Sequence, residues 1–393
     1  MSIPDLLWLL LPVAAATGWF AAKRSESRSR AQSSKVLWDY SSEFHEGLKG
    51  LLSDHVELPA DIFNTTSDSA SNAADTHIAL GNHYRQKGDM ERAVFMHQSV
   101  LDNQELSDDV RASARFELAR DYDSAGLLDR SEATFKALIK SGHRITDAYQ
   151  SLLQLHERES DWSQAIAVAT AAEKRLGEDL GWRIAHYYCE LASDAVKADQ
   201  EKDADEHLRK ALSHDDSCSR ASIMLADLAL ENGQYSQAND LYEQVEQQRP
   251  ELIPEIIDKR FDVFEKAGDA AEFDSFLKRI HSQRNAYSVI RSTRQIIAER
   301  HSPQLADRFF KDQILKRPSL KGLRDWAHDQ VELSKPGERD KVQVICNLLD
   351  KVMEDKPAYR CSYCGFQGNV MHWRCPSCGQ WDSVSTIIGV EGE

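Results

Sequence analysis

LGNHYRQKGDMERAVFMHQ, residues 80–98, is the stretch on which the reading of this 393-residue chain turns. Leu80-Gly81-x-x-Tyr84 puts a small residue between large apolar ones on one helical face. Gly88 follows where that helix must stop, and Ala93 lies on the packed face of a second helix. The same unit returns along the chain. Leu118-Ala119-x-x-Tyr122 leads to Gly126 and Ser131, and Leu152-Leu153-x-x-His156 to Ser160 and Ala165. Leu191-Ala192-x-x-Ala195 leads to Ala204, and Leu225-Ala226-x-x-Ala229 to Gly233, Ala238, Tyr242 and Pro250. The second position of the unit falls at residues 81, 119, 153, 192 and 226, in steps of 38, 34, 39 and 34.

A basic period of 34 is the spacing of tetratricopeptide helix pairs. Small residues at the second position and in the second helix let antiparallel helices approach, while Leu and aromatic positions fill the space between units. Gly88, Gly126, Gly233 and Gly268 each stand seven residues after a second position, where a left-handed residue ends the first helix. Pro250 and Pro318 fall where second helices end. Weaker units extend the pattern: Leu48 with Ala60 upstream, Phe261 with Gly268 downstream, then Ala306, Phe310 and Pro318. A generic bundle of amphipathic helices would not keep five units in one register. The fold class expected is mostly α, an α-solenoid of such repeats. Arrays of this kind present an extended concave surface to peptides or proteins.

The repeats contain no nucleotide-binding, hydrolase or zinc-protease motif. Acidic doublets such as Asp108-Asp109 and Asp215-Asp216 belong at helix ends, as caps and solvated turns. His77, His83, His97 and His207 have no ligand partner at metal spacing, and Cys189, Cys218 and Cys346 read as small apolar helix residues. Thr65 to Ala74 reads as a long loop, and Ser334-Lys335-Pro336-Gly337 as a turn. With 41% hydrophobic and 28% charged residues, the composition excludes wholesale disorder. The balance of 48 basic against 64 acidic side chains, net charge -16, argues against nucleic acid as a partner, since phosphate binding draws on Lys and Arg.

Residues 6–22, LLWLLLPVAAATGWFAA, are 17 in a row without a charge, followed by Lys23, Arg24, Arg28, Arg30 and Lys35. A cleaved signal peptide carries its basic residues before the apolar run, whereas here only Asp5 precedes it, so a retained transmembrane anchor is expected. The basic flank orients it: the N-terminus is periplasmic and the bulk of the chain cytoplasmic.

At the other end, residues 361–379 read CSYCGFQGNVMHWRCPSCG. Cys361 and Cys364, then Cys375 and Cys378, form two knuckles, each followed by a glycine, and suit one tetrahedral Zn or Fe ion. A pair of disulfides is disfavoured by the reducing compartment, and His372 is a candidate neighbour of the site rather than a first choice of ligand. A module this small needs the metal in order to fold. Tyr359, Phe366, Trp373 and Trp381 supply its apolar core or form a docking face on the last helical units.

The order of parts resembles the lipopolysaccharide assembly protein B family along essentially the whole chain. The stretches LGNHYRQKGDMERAVFMHQ, RDYDSAGLLDRSEATF, AHYYCELA, YRCSYCGF and HWRCPSCGQW carry the likeness. The resemblance implies a transmembrane anchor over 1–22, a basic juxtamembrane linker and first helix over 23–47, a repeat array over 48–355, and a rubredoxin-like metal module over 356–393. It implies four metal ligands, Cys361, Cys364, Cys375 and Cys378, holding one Fe or Zn ion, and no catalytic residues. The function it implies is that of an inner-membrane adaptor, not an enzyme. Such an adaptor delivers the lipid A pathway deacetylase to a membrane AAA+ protease and answers to an inner-membrane regulatory protein. Membrane lipid would be met through the N-terminal helix, and homo-oligomer formation is left open. The ten residues between the knuckles are fewer than in electron-transfer rubredoxins, which favours a structural role over the alternative of an iron-dependent redox protein docked through its repeats.

Overall fold

The computed structural model describes residues 70–268, 272, 275–276, 279–280, 286–354 and 356–389. The expected anchor over 1–22, the linker over 23–47, the weak unit at Leu48 and Ala60, and residues 390–393 lie outside the described residues. Among the described residues no helix is long and apolar enough to cross a membrane.

Two compact units divide the chain, Met1–Ile145 and Thr146–Glu393. Among the described residues the first contains two helical hairpins, α1 (Ala70–Lys87) with α2 (Met90–Asp102) and α3 (Asp108–Ser124) with α4 (Leu128–Ser141). The second contains α5 (Ile145–Glu159) with α6 (Trp162–Leu176), α7 (Gly181–Lys197) with α8 (Glu201–His214), and α9 (Ser219–Glu231) with α10 (Tyr235–Gln248). A 3-10 turn, Pro250–Leu252, leads into α11 (Ile253–Ala267). Then come α12 (Tyr287–Arg300), α13 (Pro303–Lys316), α14 (Leu320–Leu333) and α15 (Pro336–Glu354), and a three-stranded sheet closes the chain.

The expected register holds. Ala93, Ser131, Ala165, Ala204 and Ala238, the small residues of the second helices, are all fully buried, as are Ala119, Ala192 and Ala226 in the first. Each first helix stops at the expected left-handed residue: Gly88, Gly126, Gly233 and Gly268 have positive φ. Where the unit lacks glycine, Ser160 and Asp199 occupy the same place with φ of 57° and 56°. Polar side chains tolerate that conformation better than β-branched ones do, at a modest cost in strain. The second helices α10 and α13 end just before Pro250 and Pro318. Asp108 and Asp109 lie in the first turn of α3, whose N-cap is Ser107, and Asp215 ends α8.

Two loop expectations need correction. Residues 70–74 are the first turn of α1, because Ala74 packs with Val100, Leu106 and Ala114, and that burial outweighs the loop-like composition of Ser, Asn and Asp around it. The turn at Ser334 is shorter than expected: Pro336 opens α15, where its fixed φ and missing N–H suit the first helical position.

Gly81 shows why one small residue is needed so strictly. A Cβ there would stand 2.5 Å from the His97 ring. The ring cannot easily withdraw, since it is fully buried and its Nδ1 is tied to Asp121. Arg85 closes the network by pairing with both Asp121 at 2.8 Å and Glu117 at 2.6 Å. Gly81→Ala should therefore destabilise the Met1–Ile145 unit by about 1–3 kcal/mol through overpacking. Urea denaturation followed by circular dichroism would read this, and an unchanged midpoint would mean that His97 yields freely.

Candidate metal centre

The closing sheet has the order β2-β1-β3, with β1 (Tyr359–Cys361) antiparallel to both β2 (Gln367–Gly368) and β3 (Val384–Thr386). Two matching knuckles hang from it. In the first, the Gly365 N–H donates to the Cys361 carbonyl at 3.0 Å and the Cys361 N–H to Phe366 at 2.8 Å. In the second, the Gly379 N–H donates to the Cys375 carbonyl at 2.9 Å and the Cys375 N–H to Gln380 at 2.9 Å. Both glycines have positive φ, which is what lets each chain reverse beneath its sulfurs.

The knuckles bring Cys361, Cys364, Cys375 and Cys378 together, with all four sulfurs within 4.8 Å of one another. A zinc–sulfur bond of about 2.3 Å requires tetrahedron edges of about 3.8 Å. The edges Cys361–Cys378 and Cys364–Cys375 measure 3.8 and 3.7 Å. The four cysteines are thus positioned to hold one metal ion. Cys361 and Cys375 are buried while Cys364 is exposed, so one edge of the site faces water. Burial acts to raise the Cys361 thiol, but Ser383 at 3.3 Å and the N–H groups of Cys364 and Tyr363 outweigh it and hold the thiol near 6. His372 stays outside the sulfur cluster, edge-on to Phe366.

The module is seated on helices: among the described residues its contacts fall on the first helices α5, α7, α9 and α11, with Trp162 of α6, Tyr242 of α10 and Arg249 just after α10 beside them. Phe366 and Tyr359 pack around the knuckles, as expected, whereas Met371 and Trp373 join the core of Ala226, Ala229, Tyr242 and Ile256. Trp381, 5% exposed, fits edge-on to Trp162 and Tyr187 and lies flat against His186 with ring centres 4.9 Å apart. Its indole N–H donates to Glu157 at 3.0 Å.

Glu157 is the hub of this seat. Its side chain is 2% exposed, and one oxygen accepts from Arg183 at 2.8 and 2.9 Å, Tyr187 at 2.6 Å and Trp381. The other accepts from Arg374 at 2.9 Å, and a second Arg374 nitrogen reaches the Glu157 carbonyl at 3.1 Å. Burial, together with the adjoining carboxylate, holds the Tyr187 phenol protonated far above its ordinary range. Asp382, the next residue after Trp381, contacts His186 at 2.9 Å and Arg249 at 2.9 Å. Burial works to raise its pKa, and the His186 and Arg249 contacts win, so the net direction is down. Tyr359 completes the set by donating to Glu255 at 2.7 Å.

These helical residues were not singled out from the sequence, although a signal for three of them is present. His186, Arg220, which lies over Trp373, and Glu255 each stand six residues before a second position, at 192, 226 and 261. At these three units the module thus meets the same repeat position, beside the contacts centred on Glu157.

Residues 359–385 match the family described as rubredoxin metal binding domain, and residues 189–252 match tetratricopeptide repeat. Lipopolysaccharide assembly protein B of Escherichia coli strain K12 is 31% identical over 392 residues, spanning 99% of each chain. The chain belongs to this family. The lipopolysaccharide assembly protein B of Haemophilus influenzae is 28% identical over 396 residues, spanning 98% of this chain and 99% of that one.

In this member of the lipopolysaccharide assembly protein B family, two separable losses are expected. Replacing Cys361 and Cys364 with Ser should remove the ion and unfold residues 356–389. Metal analysis and limited proteolysis would show it, and full metal stoichiometry would contradict it. Glu157→Ala should instead keep the ion and release the folded module from its seat, since breaking a buried pair costs about 3–5 kcal/mol. A protease-sensitive module that still carries one ion is the expected result; an unchanged digestion pattern would mean that Glu157 does not hold the seat.

Proposed function

We propose that this chain is a membrane-tethered, non-catalytic adaptor that controls lipopolysaccharide assembly by presenting the lipid A pathway deacetylase to a membrane AAA+ protease, under an inner-membrane regulatory protein. The carrying observation is the metal module locked into the first-helix face of a repeat array, in a chain whose relatives are named for lipopolysaccharide assembly. Helical repeats of this kind are binding surfaces, and the family's link to lipopolysaccharide assembly supports a client from the lipid A pathway.

The metal fits an architectural task. Four thiolates fill a tetrahedral ion completely and leave no position for water or substrate, the opposite of what Lewis-acid catalysis needs. When bound, the ion gives the short module a fold. Arg374, Trp381 and Asp382 are then held at the spacing that Glu157 and His186 require. On the N-terminal side, the apolar run of residues 6–22 and the basic cluster after it support an anchor that places the array on the cytoplasmic side of the inner membrane. Tethering raises the concentration of an adaptor near a membrane protease without adding any contact to either partner.

Two measurements test this. Depleting the protein should lengthen the half-life of the deacetylase and raise lipopolysaccharide; an unchanged half-life would remove the proposal. Deleting residues 1–22 should leave a folded, soluble protein with weakened control, restored in part by overexpression, because tethering acts through concentration. Full control by the soluble form at native expression would count against a tether.

A further inference from the structure

Ser383 reaches the sulfurs from the strand side of the metal module. It is 7% exposed and lies just before Val384, the β3 residue whose register partner is Cys361. Its hydroxyl stands between the two knuckles: Oγ is 3.3 Å from the Cys361 sulfur and donates to the Gln380 carbonyl at 2.9 Å. Ser362, the residue after Cys361, fastens it there. The Ser362 N–H and hydroxyl both donate to the Ser383 carbonyl, at 2.7 and 3.1 Å. Asp382 supplies the reversal, its φ of 51° turning the chain from Trp381, aimed at the helices, to Ser383, aimed at the sulfur.

A thiol at Cys361 donates to the Ser383 Oγ, and Ser383 gives its own proton to Gln380. A thiolate that serves as a metal ligand has no proton to give. With the hydroxyl still turned to Gln380, a lone pair of Oγ and a charged sulfur would then face each other, and Cys361, 1% exposed, has no water to relieve the repulsion. Turning the hydroxyl round replaces the repulsion with a hydrogen bond to a charged acceptor, the stronger kind. The turn leaves no buried acceptor unpaired, because the Gln380 carbonyl also accepts the Cys375 N–H at 2.9 Å. The Cys364 N–H reaches the same sulfur from a longer 3.5 Å.

We propose that Ser383 is a positioning residue of the metal centre, its hydroxyl turning from the Gln380 carbonyl to the Cys361 sulfur when that sulfur is a ligand and so retaining Cys361 in the coordination set. Groups that hydrogen-bond to a metal ligand fix its orientation, and losing one costs about 10–100-fold in metal affinity. Ser383 acts on the buried side of the site, whereas Cys364 on the other side is exposed. The serine also stands directly after the two residues that grip the helices, Trp381 and Asp382, so the hold on the sulfur and the hold on the seat are neighbours in the chain.

The test uses the full-length protein loaded with zinc or with cobalt(II), as the native chain and as Ser383→Ala, Ser383→Thr and Ser383→Val. Zinc should pass to an excess of a chromophoric chelator about tenfold faster from Ser383→Ala than from the native chain. In the cobalt forms the sulfur-to-metal charge-transfer bands should move to longer wavelength, because a thiolate without its hydrogen bond gives up electron density more readily. Ser383→Thr keeps the hydroxyl and should follow the native chain in both readouts. Ser383→Val has the same shape without the hydroxyl and should follow Ser383→Ala. This pair decides the matter even where Ser383→Ala loosens the module, since size is equal and only the hydroxyl differs. The proposal is overturned if Ser383→Ala releases zinc at the native rate, if the cobalt bands stay in place, or if the Thr and Val forms behave alike.

Discussion

A buried carboxylate governs the arrangement of the second unit. Glu157 sits at the end of α5 with its side chain withdrawn from water, a state that an isolated ionised group could not afford in an apolar surrounding. Arg183 and Tyr187, one helix pair further on, meet one of its oxygens; Arg374 and Trp381, from the far end of the chain, supply the rest. Two of the four residues that meet this one carboxylate therefore come from the metal module. The dependence runs both ways, because Arg374 and Trp381 flank the knuckle between Cys375 and Cys378 and face each other as bridge partners across it. A bond between a metal and four sulfurs is in this way coupled, through one hairpin, to the packing of α5 against α7.

The same coupling explains why so small a module needs so elaborate a seat. Three strands of two or three residues bury little apolar surface of their own. Trp373 and Trp381 accordingly turn their rings towards the helices, leaving Phe366, Tyr359 and Val384 to surround the sulfurs. Charge takes up the remaining edge, where Asp382 is shared between His186 and Arg249.

What could be read in the sequence divides along a physical line. The repeats were legible because helix-to-helix distance is set by single small residues, and a period of small residues survives wide variation elsewhere, as Ser160 and Asp199 in the place of glycine show. The metal ligands were legible because tetrahedral coordination fixes both residue type and spacing. The seat was not. Glu157, His186 and Glu255 look like any solvated helix polar, and what makes them special is a partner roughly a hundred to two hundred residues away. Whether the module's aromatic residues would form its own core or dock on the last helical units is left open by the sequence, and the groups able to satisfy Arg374 and Trp381 are on α5 and α7. At residues 70–74 the failure was of another kind, local composition being overruled by the burial of Ala74.

The position of the seat constrains how such an array can bind anything else. His186, Arg220 and Glu255 are equivalent positions of three successive units, on the helices that repeat arrays of this type turn towards extended ligands. In this chain they are occupied by its own C-terminus. A partner segment lying along the same positions would have to displace Trp381 and Arg374, leaving Glu157 with Arg183 as its remaining cation, and such a loss is costly when the group stays buried. Binding that leaves the module in place avoids this cost. The module then adds surface to the array instead of merely filling it: Tyr363, Val370 and Ile388 remain exposed on it, apolar groups that its own small core does not consume.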